Sequence, residues 1–183
     1  GVMIEHRSLV NHACWFIREF SLSARDASLQ RTTLSFDAAC VEIWPMLVSG
    51  ARIVVADEAE VLDPRAMLGL IREQAVTLLQ LVPGQLGGLL DELDRDPAPL
   101  PLRAAFVGGD VLSSQDAARW SRCTGTEIVN MYGPTECTID ASFHRVAPQA
   151  TPGPIPIGRP VGNCRIYLLD AKLRPVPLGA AGE

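Results

Sequence analysis

The strongest constraint on the fold is an alternation. Short apolar or β-branched runs at residues 33–37, 51–55, 76–82, 103–107 and 126–131 are separated by segments of helical length and periodicity. A two-residue turn cannot carry a chain back to the same end of a sheet, so parallel strands need long crossovers of this kind. The pattern predicts an α/β fold, a mostly parallel sheet covered by helices, with right-handed crossovers.

The helices carry their own signals. Leu9, Ala13, Phe16, Ile17 and Phe20 form one stripe at helical spacing, with Ser8 as the expected cap. Residues 38–48 read as a second helix, kinked or ended by Pro45 and closed by Gly50. Asp63-Pro64 supplies an N-cap and a first-turn proline for a helix that buries Met67, Leu68, Ile71 and Ala75. Leu86, Leu89, Leu90 and Leu93 mark another helix, and residues 113–122 a further one. From residue 139 the texture changes to short extended runs and turns, including 165–169 before an Asp170-Ala171-Lys172 turn. This predicts an α/β part at 1–138 and an appended β-rich segment at 139–183, with the proline-rich stretch 148–160 as a separator.

Composition removes several function classes. At 183 residues and 48% hydrophobic content the chain can build one sizeable core. A formal charge of −5, with Lys172 the sole lysine, offers no basic stripe for a phosphate backbone, so no nucleic-acid partner is expected. Its apolar runs are interrupted well short of the ~20 residues a membrane span needs, and no membrane association is expected. Cys14, Cys40, Cys123, Cys137 and Cys164 are odd in number and contain no C-x-x-C pair, which argues against a disulfide framework or zinc site and fits a reducing cytoplasm. His6, His12 and His144 lack metal-ligand spacing and read as structural or exposed. Hydrolase elbows and Walker loops are absent. The opening Gly1-Val2 and the turn-like 179–183 suggest a piece of a longer chain.

Ligands of open parallel sheets gather at the carboxyl ends of strands, so the loops there are where chemistry is sought. The segment Asn130-Met131-Tyr132-Gly133-Pro134-Thr135-Glu136 is the most informative. Tyr132 can lie against a flat base, Gly133 admits close backbone approach, Thr135 can donate to a phosphate oxygen, and Glu136 offers Mg²⁺ a hard oxygen. An ordinary turn with solvated Thr and Glu is the alternative. Gly108-Gly109-Asp110 permits approach of a planar group, although a tight strand-to-helix turn needs glycine anyway. Asp37 sits among apolar residues, where a carboxylate wants either a cation such as a ligand ammonium or the N-cap role for the next helix.

These loops resemble those of a known family. Residues 130–136 are similar to the N-x-Y-G-P-T-E motif of nonribosomal peptide synthetase adenylation domains, members of the adenylate-forming superfamily. Phe36-Asp37-Ala38 resembles that family's F-D-x-S motif with Ala39 in place of the usual serine. Gly1-Val2 with His6 resembles the tail of its phosphate loop, and 178–183 the approach to its G-E-L motif. The resemblance covers the whole length and implies the middle of an N-terminal core, without the start of the phosphate loop or the C-terminal lid. It implies ATP-dependent adenylation of an amino acid, with Mg²⁺, followed by transfer to a peptidyl carrier protein thiol among neighbouring synthetase domains. An acyl- or aryl-CoA ligase of the same superfamily, or an inactive nucleotide- or partner-binding piece, are the alternatives.

By the same resemblance, Asp37 pairs with the substrate ammonium. Gly108, Gly109, Asp110, Asn130, Met131, Tyr132, Gly133 and Thr135 serve the nucleotide, with Tyr132 on adenine and Asn130 bonding its amino group. Thr135 and Glu136 face phosphate and metal as the catalytic pair. The side-chain pocket falls on Ala38, Val41, Gln80, Phe106, Gly108, Met131, Ile139 and Asp140. Such a pocket holds two polar groups, Gln80 and Asp140, and no fixed positive charge, which suits a carboxamide and implies glutamine. Ornithine is the rival through Asp140, while glutamate would need Asp140 protonated or another cation nearby.

Overall fold

The computed structural model describes residues 1–148 and 153–183. One seven-stranded sheet runs through it in the order β2-β1-β3-β4-β5-β6-β7. The strands are β1 (Ala27–Gln30), β2 (Arg52–Val55), β3 (Leu78–Leu81), β4 (Ala104–Gly108), β5 (Glu127–Tyr132), β6 (Ser142–Val146) and β7 (Arg159–Pro160). The first five pair in parallel and the last two antiparallel. The helices are α1 (His6–Glu19), α2 (Ala39–Ser49), α3 (Glu58–Leu62), α4 (Pro64–Glu73), α5 (Pro83–Arg95) and α6 (Ser114–Thr124). The expected parallel α/β architecture is therefore present.

Strand parity divides the core into two layers. Leu79, Leu81, Ala105, Val107 and Ile128 face α4, α5 and α6, where Met67, Leu68, Ile71, Leu86, Leu89, Leu90, Leu93 and Trp120 are buried. Leu78, Ala104, Phe106, Val129 and Met131 face the other way, onto Trp15, Phe16 and Phe20 of α1 and Val41 and Met46 of α2. Both faces of the sheet are covered, which is why these strands read as continuous apolar runs.

Several local signals act as expected. The Asp63 side chain accepts from the Arg65 amide and caps α4, with Pro64 at its first position. Ser113 caps α6 by accepting from the Asp116 amide. Gly50 closes α2 in the left-handed conformation at φ 74°.

Others do not. Ser8 lies inside α1, whose N-cap Glu5 makes no side-chain capping bond. Pro45 sits within α2 without ending it, buried against the core. Ala75 is exposed at φ 49°, in the turn after α4, so the buried face of that helix ends at Ile71. Residues 33–37 form turns rather than a strand; the strand starts six residues earlier, at β1. α3 carries no apolar periodicity but begins with a reciprocal capping box between Asp57 and Glu60.

The segment after residue 139 is not a separate lobe. β6 and β7 extend the same sheet, and beyond them, among the described residues, a β-bridge joins Leu169 to Pro175 around the Asp170 turn, while Leu169 and Glu183 exchange backbone hydrogen bonds. The expected strand at 165–169 thus reduces to a single bridge. The expected separator 148–160 lies partly outside the described residues, and its described end supplies β7. Glu19 accepts from both Arg145 and Arg159, and Arg145 also bonds Glu127, so α1 is tied to three adjacent strands.

Candidate active site

The order β2-β1-β3-β4-β5 reverses direction of propagation between β1 and β3, the place where open parallel sheets bind ligands. β1 and β3 share one register position, Ser28 with Leu78, whereas β3 and β4 pair along four. The ladder stops early, and above it, at the carboxyl ends of β1, β3, β4 and β5, a cavity of about 810 Å³ opens. Its walls include Asp37, Ala38, Gln80, Gly108, Gly109, Met131, Gly133, Ile139 and Asp140, nine of the expected site residues, drawn from five separate stretches of chain.

Register explains the grouping. Gln80 lies opposite Phe106, and Gly108 opposite Met131, on the same face of the sheet. Phe106 is 2% exposed and wedged against Phe16 and Phe20, both at 4.7 Å between ring centroids. With Val41 it borders a small void of about 10 Å³ beneath Gln80. Val41 and Phe106 therefore form the layer under the cavity floor and not its lining.

Two glycines are needed for closeness. A Cβ on Gly108 would lie 2.8 Å from the Met131 carbonyl oxygen. One on Gly133 would lie 2.4 Å from the Ile139 carbonyl oxygen and 2.7 Å from the Ala141 amide. The chain thus doubles back over Gly133, and the Ala141 amide donates to the Tyr132 carbonyl at 2.7 Å. At this crossing Thr138 and Ile139 both have positive φ, 67° and 72°, and the Asp140 amide donates to the Thr138 carbonyl. Two consecutive β-branched residues in that region store strain, and the turn they make delivers Ile139 and Asp140 to the cavity wall.

Asp37 is half-buried and is not a helix cap: the N-cap of α2 is Ala38, with no side-chain bond. Its carbonyl accepts from the Cys40 amide, while its carboxylate has no hydrogen-bond or ion-pair partner among the described residues. That leaves it free for a ligand cation.

The remaining expected residues lie at the margin. Tyr132 is 48% exposed and lies outside the lining, one residue before Gly133. Asn130 is buried and its amide donates to the Pro156 carbonyl at 3.0 Å, which leaves its side-chain oxygen as the available group. Asp110 is exposed and accepts from the Val111 amide. Thr135 and Glu136 are exposed in a 3-10 turn, Thr135–Cys137. Glu136 borders a second cavity of about 370 Å³, whose wall Asp140 shares with the first.

Three residues in or beside the cavity walls escape sequence reading as site residues. Arg31 lines the large cavity, donating to the Gln80 carbonyl at 3.4 Å, so the pocket does hold a fixed positive charge. Burial pulls its guanidinium below the ordinary arginine value, opposed by Glu42. Glu42 is 1% exposed on α2 and accepts from the Thr32 hydroxyl at 2.6 Å, the Thr32 amide at 3.0 Å and the Arg31 amide at 3.1 Å. Burial pushes its carboxyl up, against the pull of those bonds and of Arg31. A lone carboxylate inside the apolar run 38–48 is the signal that marks it. His12, buried on α1, meets Asp140 at 2.8 Å from 128 residues away.

No group of three His, Cys, Asp or Glu among the described residues gathers into a protein-made metal cage. Glu136 is a single exposed oxygen donor, and one carboxylate completed by phosphate oxygens is a donor set that Mg²⁺ takes. No helix of the described residues is long and apolar enough to cross a membrane.

Comparison with known proteins gives the family of this fold. The family described as AMP-binding enzyme matches residues 1–183. Tyrocidine synthase 3 of Brevibacillus parabrevis is 38% identical over 186 aligned residues, taking in all of this chain and 3% of that protein. Indigoidine synthase of Dickeya dadantii is 40% identical over 189 residues, all of this chain and 12% of that protein. Among solved structures, the nonribosomal peptide synthetase FmoA3 in its AMPPNP-bound form superposes with a TM-score of 0.85 at 33% identity, over 96% of this chain and 19% of that one. The Vibrio cholerae adenylation domain AlmE in complex with glycyl-adenosine-5'-phosphate gives 0.86 at 27% identity, over 96% of this chain and 34% of that one. The chain belongs to the AMP-binding enzyme family and, within it, to the adenylation domains of nonribosomal peptide synthetases.

Proposed function

We propose that this chain forms the amino-acid pocket and part of the nucleotide site of a domain that activates glutamine with ATP. The observation that carries the reading is the single cavity that joins the free carboxylate of Asp37 to Gln80, Asp140 and the glycines of the β4 and β5 loops. Asp37 grips the substrate ammonium, and the side chain extends along Ala38, Gln80, Met131, Ile139 and Asp140 over a floor set by Val41 and Phe106. Gln80 can donate and accept while Asp140 accepts, so together they satisfy a terminal carboxamide.

In the reaction a carboxylate oxygen of the amino acid bonds the α-phosphorus of ATP, the bond to the β-phosphate breaks, and pyrophosphate leaves. The nucleophile is already an anion, so no general base is required. The site contributes alignment and charge neutralisation, and the cavity fixes the substrate's direction through Asp37 at one end and Gln80 with Asp140 at the other. Tyr132, Asn130, Gly108, Gly109, Asp110, Met131 and Gly133 serve the adenosine, and Thr135 donates to a phosphate oxygen. Glu136 would hold Mg²⁺, which when bound offsets negative charge on the phosphates. The aminoacyl-adenylate then passes to a carrier-protein thiol in the same assembly line. The five free cysteines suit a cytoplasmic setting.

Arg31 favours one rival. A guanidinium on the cavity wall disfavours the second ammonium of ornithine and supplies the cation that glutamate would need. Amino-acid-dependent pyrophosphate exchange on the complete domain, with glutamine, glutamate and ornithine side by side, separates the three. The glutamine reading expects the highest kcat/KM for glutamine; preference for glutamate by tenfold or more would reject it.

A further inference from the structure

His12 is the one buried histidine, and the proposed chemistry does not use it. It is 2% exposed on α1, and its Nε2 lies 2.8 Å from Oδ2 of Asp140, itself 7% exposed. Asp140 borders both cavities, whereas His12 borders only the second. The imidazole therefore stands behind the wall that the substrate side chain meets from the front. Its ring packs against Trp15 at 5.5 Å and Phe16 at 6.2 Å between centroids, which fixes its plane.

The tautomer follows from the partners. An ionised carboxylate only accepts, so Nε2 carries the proton. Nδ1 is buried with no hydrogen-bond partner among the described residues. Asp140 is then held by one strong donor on Oδ2, and Oδ1 is left as an acceptor.

We propose that His12 is a positioning residue that sets side-chain selectivity, holding Asp140 as an oriented acceptor so that the pocket takes a neutral N–H donor such as a carboxamide and rejects a carboxylate. The inference rests on the amino-acid-activating reading above and names how its selectivity is built. Without the imidazole, Asp140 loses the one side-chain donor that fixes it among the described residues, and its carboxylate is free to turn from the substrate. An acceptor that is no longer aimed at the side-chain end discriminates less between a carboxamide and a carboxylate, so the preference against glutamate weakens.

The test is pyrophosphate exchange by the complete synthetase carrying His12→Ala, His12→Gln or neither, with glutamine and glutamate as substrates. His12→Ala is expected to raise KM for glutamine by about tenfold or more, the loss of one hydrogen bond to a charged group, with the KM for ATP unchanged. The kcat/KM ratio of glutamine to glutamate falls by a similar factor. His12→Gln, which returns an N–H near the lost Nε2, is expected to restore the ratio to within about threefold. A purely structural role would lower activity toward both amino acids and ATP alike and would not be rescued this way. An unchanged ratio in His12→Ala, or no rescue by His12→Gln, overturns the proposal. Wild-type synthetase that ignores glutamine refutes the glutamine reading instead. His12 is then judged on the amino acid it does activate, where an unchanged KM in His12→Ala rejects the positioning role.

Discussion

Glu42 makes the loop between β1 and Asp37 a rigid part of the site, and replacing it with alanine should loosen that loop. The carboxylate receives the Arg31 and Thr32 amides and the Thr32 hydroxyl, at 2.6 to 3.1 Å. A donor left without its acceptor on burial costs about 1–3 kcal/mol. The hydroxyl can rotate toward water, and the two amides are half-buried, so the lower half of that range applies to each. The sum is about 2–4 kcal/mol. Glu42→Gln keeps the volume and one oxygen and should lose about half as much.

The pH dependence has a defined sign. Burial raises the Glu42 carboxyl above its ordinary value, so the folded state holds that proton more tightly than the unfolded chain does. Its contribution to stability is fully present below the ordinary carboxylate value and is lost as pH rises through the raised one. Urea unfolding of the complete adenylation domain, wild type against Glu42→Gln and Glu42→Ala from pH 4 to 8, measures both effects. Wild type should lose ground to Glu42→Gln as pH rises, and Glu42→Ala should raise the KM for the amino acid more than that for ATP. An unchanged midpoint and KM in Glu42→Ala, or a wild-type advantage that grows with pH, would refute the reasoning.

Gly133→Ala sets a methyl against backbone atoms of residues 139–141 at 2.4 to 2.7 Å, which no rotamer change relieves. The cost should be about 1–3 kcal/mol in thermal unfolding, with a rise in amino-acid KM because Ile139 and Asp140 shift with that backbone. Asp26 gives the opposite pH response to Glu42. Burial works to raise it, but Arg103, the Ser23 amide and the Thr77 hydroxyl together hold it below its ordinary value. Its contribution is present above the ordinary carboxylate value and is lost as pH falls through the lowered one. Asp26→Asn should therefore cost about 1–3 kcal/mol at neutral pH and nearly nothing at low pH in denaturant melts.

Which parts of this structure the sequence could announce follows from the range of the forces involved. The alternation of strands and helices, the Asp63-Pro64 and Ser113 caps and the Gly50 terminator depend on neighbours a few residues away, and they stand where expected. Ser8 fails as a cap because α1 starts at His6, before the hydroxyl can serve. Pro45 fails as a breaker because α2 is held by burial of Ala39, Val41 and Met46 on the sheet, a tertiary gain that outweighs one missing hydrogen bond.

The site divides the same way. Motif spacing put Asp37, Gly108, Gly109 and Gly133 at the cavity wall: Gly108 ends β4, Gly109 and Gly133 directly follow strands, and Asp37 lies in the loop after β1. Pocket positions assigned by resemblance include Gln80, Met131, Ile139 and Asp140, all of which line the cavity, and register accounts for the first two. What spacing could not show is depth. Val41 and Phe106 share the right face of the sheet but lie one layer too low, under Gln80. Nor could it show partners joined only by the fold, such as His12 with Asp140 or Arg31 with the Gln80 carbonyl.

The central claim is that an unpartnered carboxylate at the end of the β1 loop grips an amino acid's ammonium in the same cleft that holds the adenylate. Asp37→Ala in the complete domain tests it most directly, with amino-acid-dependent pyrophosphate exchange and ATP binding measured separately. Loss of one partner of a desolvated charge pair should cut the exchange by more than about thirtyfold, while the affinity for ATP stays within about twofold. Exchange that survives the substitution, or ATP binding that is lost along with it, would contradict the account.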